Sequence, residues 1–261
     1  MPSTYLFFRY ISYFLNAVDE HSLQAPFVYQ LYTSVIKADK RYYAFDKIEK
    51  YRTELLHDDR ELMITDLGAG SRVSNSKVRK ISSISRSGLS NRKFSRLLFR
   101  LIDHMKSEHV LELGTSLGIN TLYMANAGKQ VSVTTFEGCT ETAEVAKGLF
   151  EKAEATNISL VQGNIDNNLV KYLNSHTNID LVYFDANHRY QPTISYFKLC
   201  LPYINEKSIF IFDDIHWSKE MNKAWEEIKL HPMVTLSIDL FDAGIVFFRK
   251  ELSKEHYVLT F

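Results

Sequence analysis

"VLELGTSLGINT", residues 110–121, is the stretch on which the fold turns. Val110-Leu111-Glu112-Leu113 reads as a short buried strand, Gly114-Thr115-Ser116-Leu117-Gly118 as a tight loop, and "NTLYMANAG" as the helix it opens. A loop that holds a nucleotide needs that order, and it needs an acid at the tip of the next strand to take the ribose hydroxyls. Glu137 meets the last condition: it ends "VSVTTFE", nineteen residues past Gly118, with Gly138 beside it.

An earlier stretch, "ITDLGAGSRVSN" at residues 64–75, imitates the first half of this pattern. It has an apolar lead-in and the glycines Gly68 and Gly70, but neither an apolar strand nor an acid follows. No acidic residue occurs from Leu67 to Ile102, while Arg72, Lys77, Arg79, Lys80 and Arg86 accumulate among serines. The second loop is therefore the working one. In the first, Gly68 and Gly70 permit a sharp turn whose basic residues could order over an acidic substrate, or the stretch is a solvated connector.

Strand and helix patterns alternate from Phe94 onward. Phe94, Leu97, Leu98, Leu101, Ile102 and Met105 recur at helical spacing. "HVLELG", "QVSVTTFEG", "ISLVQGN", "IDLVYFDAN" and "SIFIFDD" read as strands with helices between them, one starting near Thr140, a residue suited to cap it. "TLSIDLF" and "IVFFRK", on either side of a turn at Asp242-Ala243-Gly244, read as an antiparallel hairpin. Continuous apolar strands separated by helices imply a parallel sheet covered on both faces. The expected class is α/β: a Rossmann-like, doubly wound, mostly parallel seven-stranded sheet with an antiparallel last strand. A helical N-terminal extension and basic connector over residues 1–90 would precede that domain at residues 91–261.

The loop also limits its ligand. Gly-x-x-x-Gly is one glycine short of the dinucleotide fingerprint, and no P-loop lysine follows. Glu112 would repel a diphosphate but suits a cationic ligand. With "ELGTSLG", Glu137 and the closing "SIDLFDAGIVFFRK" together, the chain from residue 90 to 250 resembles the class I S-adenosylmethionine-dependent methyltransferases. The resemblance implies S-adenosylmethionine as cofactor. Glu112, Gly114, Thr115, Ser116 and Gly118 would surround its methionine end, Glu137 and Gly138 its ribose, and Asn164 its adenine, with Asp185 a further contact. A nicotinamide-dependent Rossmann enzyme is the competing reading.

"YFDANHRY" and "FIFDDIHW" place Asp185, Asn187 and His188, then Asp213, Asp214 and His216, at strand ends, where an open parallel sheet keeps its ligand crevice. Carboxylates on adjacent strand ends repel unless neutralised; a hard divalent cation does this and lowers the pKa of a coordinated hydroxyl. The arrangement is similar to that of the catechol and caffeoyl-CoA O-methyltransferase group, which implies Mg²⁺ or Mn²⁺ on Asp185, Asp213 and Asp214. That group carries a lysine base three residues after the first aspartate. His188 stands there instead, and imidazole can act as base near neutral pH, with Asp185 beside it. Plainer roles compete: Asp185 as a helix cap, Asp213 as a cofactor contact only, and His216 next to Trp217 as a pocket wall.

Lys and Arg balance Asp and Glu at 31 each, so no global field attracts nucleic acid or an anionic membrane. The basic run lacks interleaved aromatics, and no Asn-Pro-Pro-Tyr-type tetrapeptide follows the fourth strand. Cys139 and Cys200, the two cysteines, read as small core residues suited to a reducing cytosol. Arg9 interrupts the apolar N-terminus and leaves too short a run for a membrane span. Tyr5, Phe8, Ile11, Phe14 and Leu15 predict a helix with one buried face, covered by its own domain or by the partner in a homodimer. The expectation is a cytoplasmic methyltransferase acting on a small molecule's oxygen. Its alternatives are a methyltransferase acting on protein or RNA, and a binding protein that keeps the cofactor fold without catalysis.

Overall fold

The computed structural model describes residues 4–65, 77–175 and 178–261. The loop "DLGAGSR" lies outside them. In chain order the N-terminal third forms α1 (Thr4–Asn16), α2 (Pro26–Leu31), α3 (Tyr43–Leu56), β1 (Glu61–Met63), β2 (Val78–Lys80) and α4 (Ile81–Gly88). Then come α5 (Arg92–Met105), β3 (His109–Leu113), α6 (Ile119–Ala125), β4 (Ser132–Glu137), α7 (Thr140–Ala153), β5 (Ile158–Gln162) and α8 (Ile165–Asn174). The remainder is β6 (Ile179–Phe184), α9 (Tyr190–Cys200), β7 (Ile204–Asp213), α10 (Lys219–Leu230), β8 (Leu236–Asp239), β9 (Ala243–Phe247) and β10 (Glu255–Val258).

Contacts divide the chain into two compact units: Lys40–Ser175, and Met1–Asp39 together with His176–Phe261. The division expected at residues 90 and 91 separates roles, whereas this one follows packing.

In the Lys40–Ser175 unit, β3, β4 and β5 are parallel, with Leu113 opposite Phe136 and Phe136 opposite Val161. The strands are short and apolar, and Leu111, Leu113 and Phe136 are wholly buried. The helix read from Phe94 to Met105 is α5. The Asn91 side chain caps it by accepting from the Phe94 N–H at 2.9 Å, and Lys106 closes it in the left-handed region. At α7 the expected cap is displaced by one residue. Thr140 is already helical and Cys139 holds the cap position without a side-chain bond, because the chain leaves β4 only two residues earlier. β1 and β2 form a separate antiparallel pair.

In the other unit β6 and β7 are parallel, and β9 runs antiparallel to both β7 and β8, as the hairpin predicted. β10 is additional: it pairs parallel with β8 after the antiparallel strand. The described residues therefore hold eight strands of this kind, three in one unit and five in the other, against seven expected. Aromatic rings fill this core, with Phe184 stacked on Phe212 at 4.4 Å and Trp225 of α10 fully buried. Gly244 in β9 leaves room for that indole: a Cβ there would stand 2.5 Å from it. Ser218 caps α10 through the Met221 N–H.

The N-terminal helix forms as read, but not with the face expected inside. No residue of α1 is buried, and Phe8, Phe14 and Leu15 are 67%, 69% and 76% exposed. The face turned to its own unit carries polar tips instead. Tyr13 donates to the Leu259 carbonyl at 2.7 Å, Tyr5 reaches the Ser218 carbonyl, and Arg9 meets His216. Apolar spacing found the helix, while hydrogen bonding chose its orientation.

Candidate active site

The loop after β3 is held open by backbone conformations that side chains resist. Gly114, Ser116 and Gly118 have φ of 107°, 48° and 83°. Gly118 is doubly constrained, since a Cβ would lie 2.6 Å from the Phe150 ring. The Gly114 and Thr115 N–H groups both donate to the Phe136 carbonyl, tying the loop to the end of β4. Glu137 ties it again: its carboxylate accepts from the Ser116 N–H at 2.8 Å and the Cys139 N–H at 2.9 Å. Burial raises the Glu137 carboxyl, and the N–H groups of Cys139, Ser116 and Gly138 oppose that rise. A carboxylate has about four lone-pair sites, so with three N–H groups on it one remains for a ribose hydroxyl.

Glu112 is fully buried beneath the loop. Thr121 of α6 and Thr135 of β4 donate to one of its oxygens, and Oε1 has no partner among the described residues. Burial pushes this carboxyl up to about 8, and the Glu137 charge adds to that, against the two threonines. Thr115 is also buried, its hydroxyl paired with Thr135 at 2.6 Å, so it braces the loop floor. Asn164 is exposed and caps α8, accepting from the Asp166 N–H at 2.8 Å. Its amide nitrogen is the group left for a ligand.

The acids of the other unit gather at the ends of β6 and β7. The register that sets Phe184 against Phe212 brings Asp185 level with Asp213. Tyr183 binds both, its hydroxyl 3.0 Å from Asp185 Oδ2 and 2.6 Å from Asp213 Oδ2. His188 stands 3.6 Å from Asp185 Oδ1 through Nε2 and 3.7 Å from Asp214 Oδ2 through Nδ1. Burial lowers the His188 pKa, with Asp213 opposing, which favours the neutral imidazole. Burial and the Asp214 charge push the Asp213 carboxyl up to about 7, against Tyr183 and His188. Asp185 is not the cap of α9: Arg189 holds that position without a side-chain bond, and Glu220 accepts the Tyr190 N–H.

The divalent-cation expectation at Asp185, Asp213 and Asp214 finds no such donor set. Among the described residues no group of three or more His, Cys, Asp or Glu side chains is arranged to hold a metal ion. Tyr183 donates toward one oxygen of Asp185 and one of Asp213.

Residues 111–215 match the family model described as a methyltransferase domain, taking in both the loop and the acids. No curated protein matches the sequence. Solved structures show the fold of the class I S-adenosylmethionine-dependent methyltransferases. An S-adenosylhomocysteine-bound methyltransferase from Podospora anserina superposes with a TM-score of 0.60 at 13% identity, over 87% of this chain and 98% of that one. An O-methyltransferase from Bacillus cereus, in complex with S-adenosylhomocysteine, gives 0.55 at 15% identity, over 87% and 99%. The Streptomyces achromogenes O-methyltransferase involved in tomaymycin synthesis, in complex with S-adenosylmethionine, gives 0.58 at 15%, over 89% and 99%.

The structure brings Glu112, the loop Gly114–Gly118, Glu137 and Gly138 together in one unit, and Asp185, His188, Asp213 and Asp214 in the other. Thr121, Thr135 and Tyr183 hold these carboxylates, and sequence reading passed over all three. Their only signal is strand alternation: Thr135 stands opposite Glu112 in the β3–β4 register. His216 belongs to a separate network, 2.8 Å from Asp239 and bound to Arg9 and Asn222.

Proposed function

We propose that the chain is a cytoplasmic S-adenosylmethionine-dependent methyltransferase that methylates an oxygen of a small molecule, with residues 91–261 as its catalytic part. The observation that carries the reading is the loop after β3, whose conformation is fixed by Gly114, Gly118 and the Glu137 carboxylate. The residues fit the cofactor. Glu112 Oε1 is a buried acceptor without a donor among the described residues, complementary to a ligand ammonium, and Glu137 keeps a lone pair for the ribose. When bound, S-adenosylmethionine supplies an electrophilic methyl group.

The chain's own work is to hold the acceptor and take its proton. His188 is the imidazole placed to do the second. Asp185 and Asp214, on either side of the ring, stabilise the imidazolium as it forms. Tyr183 fixes Asp185 and Asp213 so that this field does not relax away. Among the described residues no helix is long and apolar enough to cross a membrane, and both cysteines are buried and unpaired, which accords with the proposed location.

Calorimetric titration with S-adenosylhomocysteine tests the cofactor: binding on the order of micromolar is expected in the wild type and loss of it in Glu137→Ala. Absence of binding to the wild type would overturn the reading. Methyl transfer unchanged by EDTA is expected; restoration of an EDTA-abolished rate by Mg²⁺ would return the metal to the mechanism.

A further inference from the structure

A cavity of about 400 Å³ opens beside Asp214. Its walls are aromatic: Phe7 and Tyr10 of α1, Trp217 after β7, and Phe241 in the β8–β9 turn. Phe241 is held at φ 72°, a conformation that a bulky residue adopts only under constraint. Its ring is pinned by Tyr10 at 5.1 Å, Tyr13 at 5.3 Å and His216 at 5.5 Å. The wall is therefore built rather than incidental.

Two carboxylates, Asp214 and Asp242, line this cavity together with one imidazole, His216. Burial raises the Asp242 carboxyl and the His216 charge opposes that rise. The Asp242 carboxylate takes no hydrogen bond or ion pair among the described residues. Arg9 is the neighbouring cation, and it is turned to His216, whose other ring nitrogen is bound to Asp239. Burial would raise the Asp239 carboxyl, but the His216 hydrogen bond and charge, with the Phe241 N–H, hold it low. That pair is closed on itself. The cavity thus presents ring faces and carboxylates together, the combination that recognises an organic cation.

We propose that this cavity is the acceptor site and that it selects a molecule carrying an aromatic ring and a protonated amine. The proposal rests on the methyltransferase reading, because Asp214 is the residue that lines the cavity and also flanks His188. The ring lies among Tyr10, Trp217 and Phe241, the ammonium meets Asp214 and Asp242, and a carboxylate-bearing acceptor is repelled.

Three phenols that differ only in the charge of the para substituent provide the test: tyramine, p-cresol and 4-hydroxyphenylacetate, titrated calorimetrically into the full chain with and without S-adenosylhomocysteine. Tyramine is expected to bind roughly tenfold tighter than p-cresol, with 4-hydroxyphenylacetate weakest. Asp242→Asn, at an exposed position, should cut the tyramine advantage about threefold and leave p-cresol unchanged. Tyr10→Leu should weaken tyramine and p-cresol alike. Equal binding of the three, tighter binding of the carboxylate, or no saturable binding of any would overturn the proposal. Tyramine binding in a protein that does not bind S-adenosylhomocysteine would remove the acceptor role along with the methyltransferase reading. Cofactor binding without an amine preference would remove this proposal alone.

Discussion

Seven non-glycine residues among those described have positive φ, and their places divide by purpose. Lys106 and Glu154 end helices α5 and α7, where a left-handed residue is an ordinary stop. Ser116, Asn187, His188, Asp214 and Phe241 stand in the cofactor loop, at the acid cluster and on the cavity wall. Strain of about 1–3 kcal/mol each persists only where the surroundings over-determine it. Lys106→Gly should therefore raise stability by about 0.5–1 kcal/mol in urea denaturation, since glycine adopts that conformation freely. His188→Gln should lower kcat about 100-fold or more in a methyl-transfer assay and leave S-adenosylhomocysteine binding intact. Glu112 gives a prediction in pH. Its carboxyl is raised from 4.5 to about 8, so between those values the folded state holds a proton that the unfolded state releases. Stability from this group is complete below 4.5 and is lost as pH rises through about 8. Thermal unfolding should show the wild type falling on the order of 5 °C between pH 5 and 8 relative to its Glu112→Gln variant.

Among elements, the legible ones carry their own signals. α5 was readable because six apolar residues keep helical spacing, and β3 with its loop because a strand, two glycines and a later acid follow in sequence. β10 was not: all four of its residues are at least partly exposed, and it exists through pairing with β8. Thr121, Thr135 and Tyr183 were invisible for a related reason, since each matters through a partner that the fold supplies. For α1, hydrophobicity reports that the helix is amphipathic, not which of its tips will meet carbonyls, and the outward face is the one a homodimer partner would cover. At the β3–α6 junction, Gly118→Ala meets both a left-handed backbone and the Phe150 ring. It should cost about 2 kcal/mol or more in denaturant unfolding and weaken cofactor binding in the same protein.

Taken whole, one compact unit is assembled from both ends of the chain. Val18 bridges to Leu259, the Val18 carbonyl accepts the Thr260 N–H at 3.0 Å, Tyr32 pairs with Thr260, and Phe27 packs edge-on against Phe247. A chain shortened by residues 255–261 would lose β10 and leave Val18, Tyr13 and Tyr32 without these partners. Limited proteolysis should then cut within residues 4–39 while the segment from α5 to α8, Arg92–Asn174, stays protected.

The same closure sets a timetable for synthesis. Residues 4–39 leave the ribosome more than two hundred residues ahead of Leu259 and Thr260. The aromatic helix α1 therefore waits without its anchors until that later segment emerges. Its exposed Phe8, Phe14 and Leu15 are what a chaperone would meet on the nascent chain.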